Sequence, residues 1–156
     1  LEAWKRNQGQ LSILSAGFLI IMQLWIASNY VLFALLYQGI SPPLDNFFSN
    51  AFLSEEGRIF ALASLAVGFG FAWCAFAISA VSVPMLMDRK VDGFTAVRLS
   101  VKAVLENMPA MMLWALLIVI IVGLGLITFY VGLIVALPLI GHATWHAYRD
   151  LVPSFE

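Results

Sequence analysis

Residues 110–140 read AMMLWALLIVIIVGLGLITFYVGLIVALPLI, a run without a single charged side chain. An α-helix rises about 1.5 Å per residue, and the hydrocarbon core of a bilayer is about 30 Å thick. Extended as far as Tyr148, the run is too long for one crossing and suits two. We therefore predict transmembrane helices at about 109–126 and 129–148, joined by a tight reversal between Gly123 and Gly132.

Two further charge-free runs precede this stretch, at about 11–37 and 59–87. Each is long enough to cross a bilayer with some tilt. Pro84 should kink or end the second helix just before Asp88, because proline lacks the backbone N–H that a helix interior needs. The segment between the two runs, residues 38–58, mixes helix-breaking prolines with several phenylalanines. It is expected to lie in the membrane interface.

A short amphipathic helix is predicted between the second and third spans, at about 93–106. Its apolar positions follow helical spacing: Phe94, Val97, Val101, Val104 and Leu105. Arg98, Lys102 and Glu106 fall on other faces, and Asp92 is a candidate N-cap. Such a helix should lie on the membrane surface.

Composition agrees with a membrane environment for the whole chain. Hydrophobic residues make up 62% of it and charged residues 11%, with a mean hydropathy of +0.95. Soluble domains are about 45–50% apolar and about 25% charged. We predict an all-α fold, a polytopic transmembrane helix bundle of four spans and one surface helix, forming a single domain over residues 1–156. The net charge of −1 gives no electrostatic reason to expect a nucleic-acid partner.

The distribution of lysine and arginine predicts the orientation. Seven of the eight basic residues fall before the first span, between the second and third, or after the fourth: Lys5, Arg6, Arg89, Lys90, Arg98, Lys102 and Arg149. Only Arg58 lies in the first loop. The positive-inside rule then places both termini of the segment in the cytoplasm.

The interiors of the spans contain no Asp, Glu, Lys or Arg. Ion-coupled transporters and pumps usually carry such groups within the membrane, so this pattern disfavours that class. In the second span, small residues pair at four-residue spacing, Ala66 with Gly70 and Gly68 with Ala72. Such pairs allow close approach of helix backbones, and we predict a helix-packing face here.

The segment Gly141–Arg149, GHATWHAYR, is the most suggestive for chemistry. His142 and His146 are four residues apart and share a helix face, a geometry suited to a metal or a haem edge. Two ligands are too few for a typical zinc site, so no metal or cofactor is assigned. The interpretation we favour is an interfacial girdle, with the cofactor role of the histidines as the alternative. The predicted interfacial anchors are Trp145, Tyr148, Arg149, Arg89 and Lys90.

Two motifs carry a resemblance to a known family: SVPMLMDR at 82–89 and PLIGHATWHAYR at 138–149. Together they resemble the bacterial integral-membrane family known as domain of unknown function 2189. The resemblance is good over residues 60–150 and loose over the first span. It implies a six-helix protein of which this chain is the C-terminal two-thirds, after a first helix pair. Some members carry a label as cytochrome c oxidase subunits, and the resemblance transfers no catalytic residues.

These features together predict a non-catalytic protein of the bacterial inner membrane. We expect an accessory or structural subunit packed against a larger complex, for example a respiratory one, with membrane lipids and other membrane subunits as partners. The first alternative is a small transporter or lipid-handling protein with Gln23, Asn29 or Ser79 lining a cavity. The second is a haem- or quinone-associated redox protein that uses His142 and His146.

Overall fold

The computed structural model describes residues 7–36 and 54–152. These residues are 88% helical and contain no strand, which confirms the all-α prediction. In this part of the chain the helices are α1 (Gln8–Leu36), α2 (Glu55–Ser79), α3 (Ser82–Asp88), α4 (Gly93–Glu106), α5 (Met108–Ile127) and α6 (Leu133–Leu151). Residues 38–53 of the predicted interfacial segment lie outside the described residues, and residues 55–58 belong to α2.

Three stretches of the described chain are long and apolar enough to cross a membrane by length and composition. They are α1, the stretch Glu55–Asp88 that comprises α2 and α3, and α5. The expected fourth span corresponds to α6, a 19-residue helix that also carries Arg149 and Asp150 and does not belong to this group. A multi-span membrane protein is therefore supported, and the fourth crossing stays a prediction.

The second span is interrupted earlier than Pro84 suggested. The helix α2 ends at Ser79, a turn occupies Ala80 and Val81, and α3 begins at Ser82. Pro84 thus stands in the first turn of α3, where a missing N–H is tolerated, and the chain stays helical to Asp88. A continuous helix would have set the proline ring against the carbonyl of Ala80, four residues earlier. The interruption therefore lies at Ala80 and Val81, upstream of the predicted position, whereas the helical stretch ends at Asp88, close to where the prediction ended it.

The chain forms two compact units, whose boundaries fall inside α1 and α2. One unit is Ser15–Ala75, whose described part consists of most of α1 and most of α2. The other contains the start of α1, the end of α2 and all of α3 to α6. The buried apolar core lies in this second unit.

The helices α5 and α6 form a hairpin whose turn, residues 128–132, lies within the predicted reversal. Phe129 and Tyr130 adopt positive φ angles of 51° and 69°, which tighten the turn. Gly132 allows the close approach: a Cβ atom there would lie 2.9 Å from the Cα of Gly125. The apolar run therefore folds back on itself because two glycines leave room for the backbones.

The helix predicted at 93–106 is α4, Gly93–Glu106, and its place on the membrane surface stays a prediction. The Asp92 carboxylate accepts a hydrogen bond from the Thr95 backbone N–H at 2.9 Å, which confirms the N-cap. The residues of α4 that are buried in the protein are Ala96, Ser100 and Val104, so only Val104 of the predicted apolar stripe is among them. Phe94 and Leu105, also in that stripe, are 80% and 59% exposed.

Candidate functional site

Polar contacts that are distant in sequence concentrate where the start of α1, the helices α3 and α4, and the end of α6 meet. We call this region the junction and define it by Asn7, Gln10, Asp88, Arg89, Ser100 and Tyr148. Its apolar centre is a cluster of buried side chains: Leu11, Val81, Met85, Leu86, Ala96 and Tyr148. Side chains from four helices therefore share one small core.

The start of α1 is fastened to the segment around α3 by two amide side chains. The Asn7 Nδ2 group donates to the carbonyl oxygens of Leu86 and Arg89, at 3.1 and 2.5 Å. The backbone N–H of Gly93 donates to Gln10 Oε1 at 2.9 Å. These bonds use carbonyls at the end of α3 and the first N–H of α4, and the Arg89 carbonyl also accepts the backbone N–H of Val91 at 3.2 Å. Backbone groups at helix ends lack some of the partners found inside a helix.

Ser100 fixes α4 against the break between α2 and α3. Its hydroxyl donates to the carbonyl of Ala77 at 2.8 Å and accepts from the backbone N–H of Val81 at 3.0 Å. Ser100 is fully buried. A buried N–H without a partner is costly, so this serine stabilises the turn that interrupts the second span.

Tyr148 joins α6 to the end of α3. The side chain is fully buried, and its hydroxyl donates to Asp88 Oδ2 at 2.9 Å. The Arg89 guanidinium lies 5.9 Å from the centre of the tyrosine ring, within the range of a cation–π contact. Arg89 Nε also lies 3.5 Å from the Asp88 carboxylate. The carboxylate is thus paired with a hydroxyl and a guanidinium, which makes the group a connector between helices.

The predicted cofactor residues, His142 and His146, lie one turn apart on the continuous helix α6, and both are exposed. A ring nitrogen of His142, Nδ1, is 2.8 Å from the carbonyl oxygen of Pro138. Among residues 7–36 and 54–152, no group of three or more His, Cys, Asp or Glu side chains could hold a metal ion. The structure brings no third ligand to this pair within that range, and its cofactor role stays a prediction.

The predicted interfacial anchors fall into two groups. Trp145, Arg149 and Lys90 are exposed, as contact with lipid headgroups requires. Arg89 and Tyr148 instead contact each other and Asp88 inside the protein. Nothing in the sequence distinguished Tyr148 from Trp145, because both lie near the same helix end.

The predicted packing residues of α2 also divide. A Cβ atom on Gly68 would lie 3.3 Å from Trp25 Nε1, so this side of α2 is close to α1. Ala72 lines the same groove between the two helices. Ala66 and Gly70 are exposed, and nothing lies within 4 Å of a Cβ built on Gly70. One small-residue pair therefore faces α1, and the other is open.

The unit Ser15–Ala75 contains an open aromatic groove of about 400 Å³. Among the described residues, its lining is formed by Trp25, Ile26, Asn29, Tyr30, Phe33 and Phe60. The rings of Phe33 and Phe60 meet edge to face at 5.9 Å. The Asn29 amide donates to the carbonyl of Trp25, so its polar group is used within α1. The described lining of the groove is almost entirely apolar.

A helical chain with several apolar spans and a polar connection at their ends defines a multi-span integral membrane protein. Residues 1–88 match the model of the family described as predicted integral membrane protein, domain of unknown function 2189, and the chain belongs to this family. The matched range contains α1 to α3 and most of SVPMLMDR, whereas GHATWHAYR lies outside it. No curated protein and no solved structure matches the chain. The predicted correspondence to the C-terminal two-thirds of a member is not tested by this match.

Proposed function

We propose that this protein is a non-catalytic subunit of the bacterial inner membrane that packs laterally against a larger membrane complex. The observation that carries the proposal is the exposure of its spans. In the most apolar window of α1, and in that of Glu55–Asp88, none of the residues is buried; in α5 the buried share is 11%. Helices that pack so little on one another leave broad apolar faces for lipid or for another protein.

A ridge of small residues on α2 supports a protein partner on one of these faces. Ala66, Gly70 and Cys74 recur at four-residue spacing, and all three are exposed. Without a hydrophobic driving force in lipid, helices associate through close van der Waals contact, which small residues permit. The ridge offers a partner helix this contact, whereas bulky exposed leucines favour acyl chains.

We further infer that α6 forms the fourth span. The helices α5 and α6 run antiparallel from their turn, and Tyr148 near the end of α6 bonds to Asp88 at the end of the second span. The 19 residues of α6 are about 28 Å long at about 1.5 Å per residue. That length is close to a bilayer core of about 30 Å. With the basic residues inside, both ends of the described chain then lie in the cytoplasm.

Mild-detergent isolation of the full chain tests the subunit proposal. We expect comigration with a larger complex, and haem in that complex would support its respiratory identity. The variant Gly70→Leu should abolish comigration because a bulky side chain blocks the ridge. Gly17→Leu in α1 is the matched control, since a Cβ there also meets nothing within 4 Å. A stable wild-type species without any partner, or equal loss in both variants, would refute the proposal.

The aromatic groove favours a second candidate function, lipid handling. Its volume of about 400 Å³ lies in the range of small-ligand sites, about 300–1,000 Å³. Native mass spectrometry of the wild type should then show one retained phospholipid that survives detergent exchange. Phe33→Ala should release this lipid, and Phe69→Ala, an exposed phenylalanine outside the groove lining, should not. Equal retention in all three proteins would exclude the groove as a lipid site.

A further inference from the structure

We propose that the outer face of α4 is a binding site for the headgroup of an anionic phospholipid. The face is defined by Phe94, Arg98, Lys102 and Leu105. This inference is independent of the subunit proposal, because it concerns a different helix and a different ligand.

The first step is that the rotation of α4 about its axis is fixed. Ala96, Ser100 and Val104 are fully buried, and the Ser100 hydroxyl is bonded on both sides to backbone around the break in the second span. The N–H of Gly93 is bonded to Gln10. The opposite face is therefore permanently turned away from the protein.

The second step is that α4 lies at the end of two spans. Residues 89–92 connect it to α3, and Asn107 alone separates it from α5. Since Glu55–Asp88 and α5 are both apolar enough to cross a membrane, the helix between them is held at headgroup level. Its polar and apolar side chains are then presented to the interface itself.

The third step is the order in which apolar, basic and acidic side chains follow one another around the exposed face. Successive helical positions are about 100° apart. From Phe94, which is 80% exposed, Leu105 lies at about 20°, Arg98 at about 40° and Lys102 at about 80°. Glu106 follows at about 120°. Leu99, which is 40% exposed, follows at about 140°. From Phe94 to Glu106, the order of apolar, basic and acidic groups matches the order of acyl chain, phosphate and water across a bilayer interface.

Charge complementarity selects an anionic lipid as the occupant. Arg98 and Lys102 are exposed, and Lys102 lies 3.7 Å from Glu106, close enough for a weak exposed ion pair. Lys90 is also exposed, two residues before Asp92, the residue that caps α4. Basic side chains next to a membrane surface attract anionic headgroups, and the adjacent apolar side chains hold the acyl region.

Native mass spectrometry of the full chain, released from vesicles with equal amounts of phosphatidylglycerol and phosphatidylcholine, tests the site. We expect retained phosphatidylglycerol to exceed phosphatidylcholine in the wild type. Each of Arg98→Gln and Lys102→Gln should lower that enrichment about fivefold. Arg98→Lys should retain it, and Glu106→Gln should leave it equal or higher because a competing carboxylate is removed. Unchanged enrichment in the double Arg98→Gln, Lys102→Gln variant would overturn the proposal.

A depth measurement separates a lipid site from a protein-docking surface. A nitroxide at Phe94→Cys, in a Cys74→Ala background, should report a position at or below the phosphates. The matched label at Thr95→Cys, exposed and about 100° away, should report water. If the Phe94→Cys label is instead in water, or is shielded from both lipid and water by another protein, the proposed site is refuted. All of these residues are on the surface, so folding of the variants is checked by their unchanged thermal unfolding.

Discussion

The junction and the unit Ser15–Ala75 are held by different kinds of interaction. In the junction, side chains bond to groups distant in sequence, as Tyr148 does to Asp88 and Asn7 does to the carbonyl of Leu86. In Ser15–Ala75, the hydrogen bonds of Ser28 and Asn29 return to their own helix, and neighbouring helices meet through rings and a glycine. Hydrogen bonds between helices fix one relative geometry. Apolar contacts between helices in lipid are less specific, because a helix can exchange them for contacts with another apolar surface. The comparison implies that stability resides in the junction and adaptability in the helix pair.

The largest effect should come from truncating a buried aromatic residue in the junction. Tyr148→Ala should lower the free energy of unfolding by about 3–5 kcal/mol, because it leaves a cavity and removes the bond to Asp88. Phe33→Ala in the helix pair should lower it by about 0.5–1.5 kcal/mol, since Phe33 is 39% exposed. Unfolding in detergent with increasing dodecyl sulfate, followed by near-ultraviolet circular dichroism, measures both. Equal losses would contradict the contrast between the two regions.

The same substitution, serine to alanine, should cost more stability in the junction than in the helix pair. Ser100→Ala leaves the buried N–H of Val81 unpaired and should cost about 1–3 kcal/mol. Ser28→Ala removes only an exposed bond to Leu24 within α1, so the change should stay within about 0.5 kcal/mol. The same unfolding assay compares them. A larger loss for Ser28→Ala would place the stabilising polar contacts in the helix pair instead.

Two glycines sharpen the comparison further. At Gly132 an added Cβ would meet backbone at 2.9 Å, so Gly132→Ala should cost about 1–2 kcal/mol after the gain of about 0.4–1 from a stiffer unfolded chain. At Gly68 the nearest atom is 3.3 Å away on the Trp25 side chain, which can move. Gly68→Ala should therefore change stability by less than about 0.5 kcal/mol. Thermal unfolding of both variants in the same detergent decides the point, and similar losses would show that Trp25 is rigid.

The smallest effect concerns pH at the start of α4. Hydrogen bonds from the side chain and then the backbone of Thr95 lower the pKa of Asp92 below its ordinary value of 3.8. Its contribution to stability is therefore fully present above that ordinary value and is lost as the pH falls through the lowered pKa. Asp92→Asn should keep the cap and remove this pH dependence, and Asp92→Ala should lower the melting temperature slightly at neutral pH. If the loss of stability at low pH is the same in wild type and in Asp92→Asn, another carboxylate is responsible for that loss.

Local signals predicted most of the helices. A helix was predicted at 93–106 and α4 has these bounds, because a capping aspartate and a regular apolar spacing act within one or two turns. The hairpin turn was predicted because the charge-free run is too long for a single crossing of a bilayer. The break at Ala80 was missed because the effect of Pro84 is felt four residues upstream, at the carbonyl it would strike. The face of α4 that packs on the protein was not predicted, since spacing alone does not distinguish a stripe that meets lipid from one that meets other helices.

The candidate sites show the same division. The sequence indicated that the surface helix and the end of the last helix lie near the same membrane face, but it assigned Tyr148 to lipid. In the structure, the Tyr148 hydroxyl donates a hydrogen bond to Asp88, sixty positions away in the chain. The spacing of residues along the sequence does not show which of the nine acidic residues contacts a given tyrosine.

The sequence by itself determined that this chain is helical, that it belongs in a membrane, and where most helices begin and end. These properties follow from hydrophobicity and from interactions within one or two helical turns. Only the tertiary structure decided which polar side chains connect the helices and which face of α4 is turned outward. Those features depend on distances between residues far apart in the chain, and such distances are set by packing.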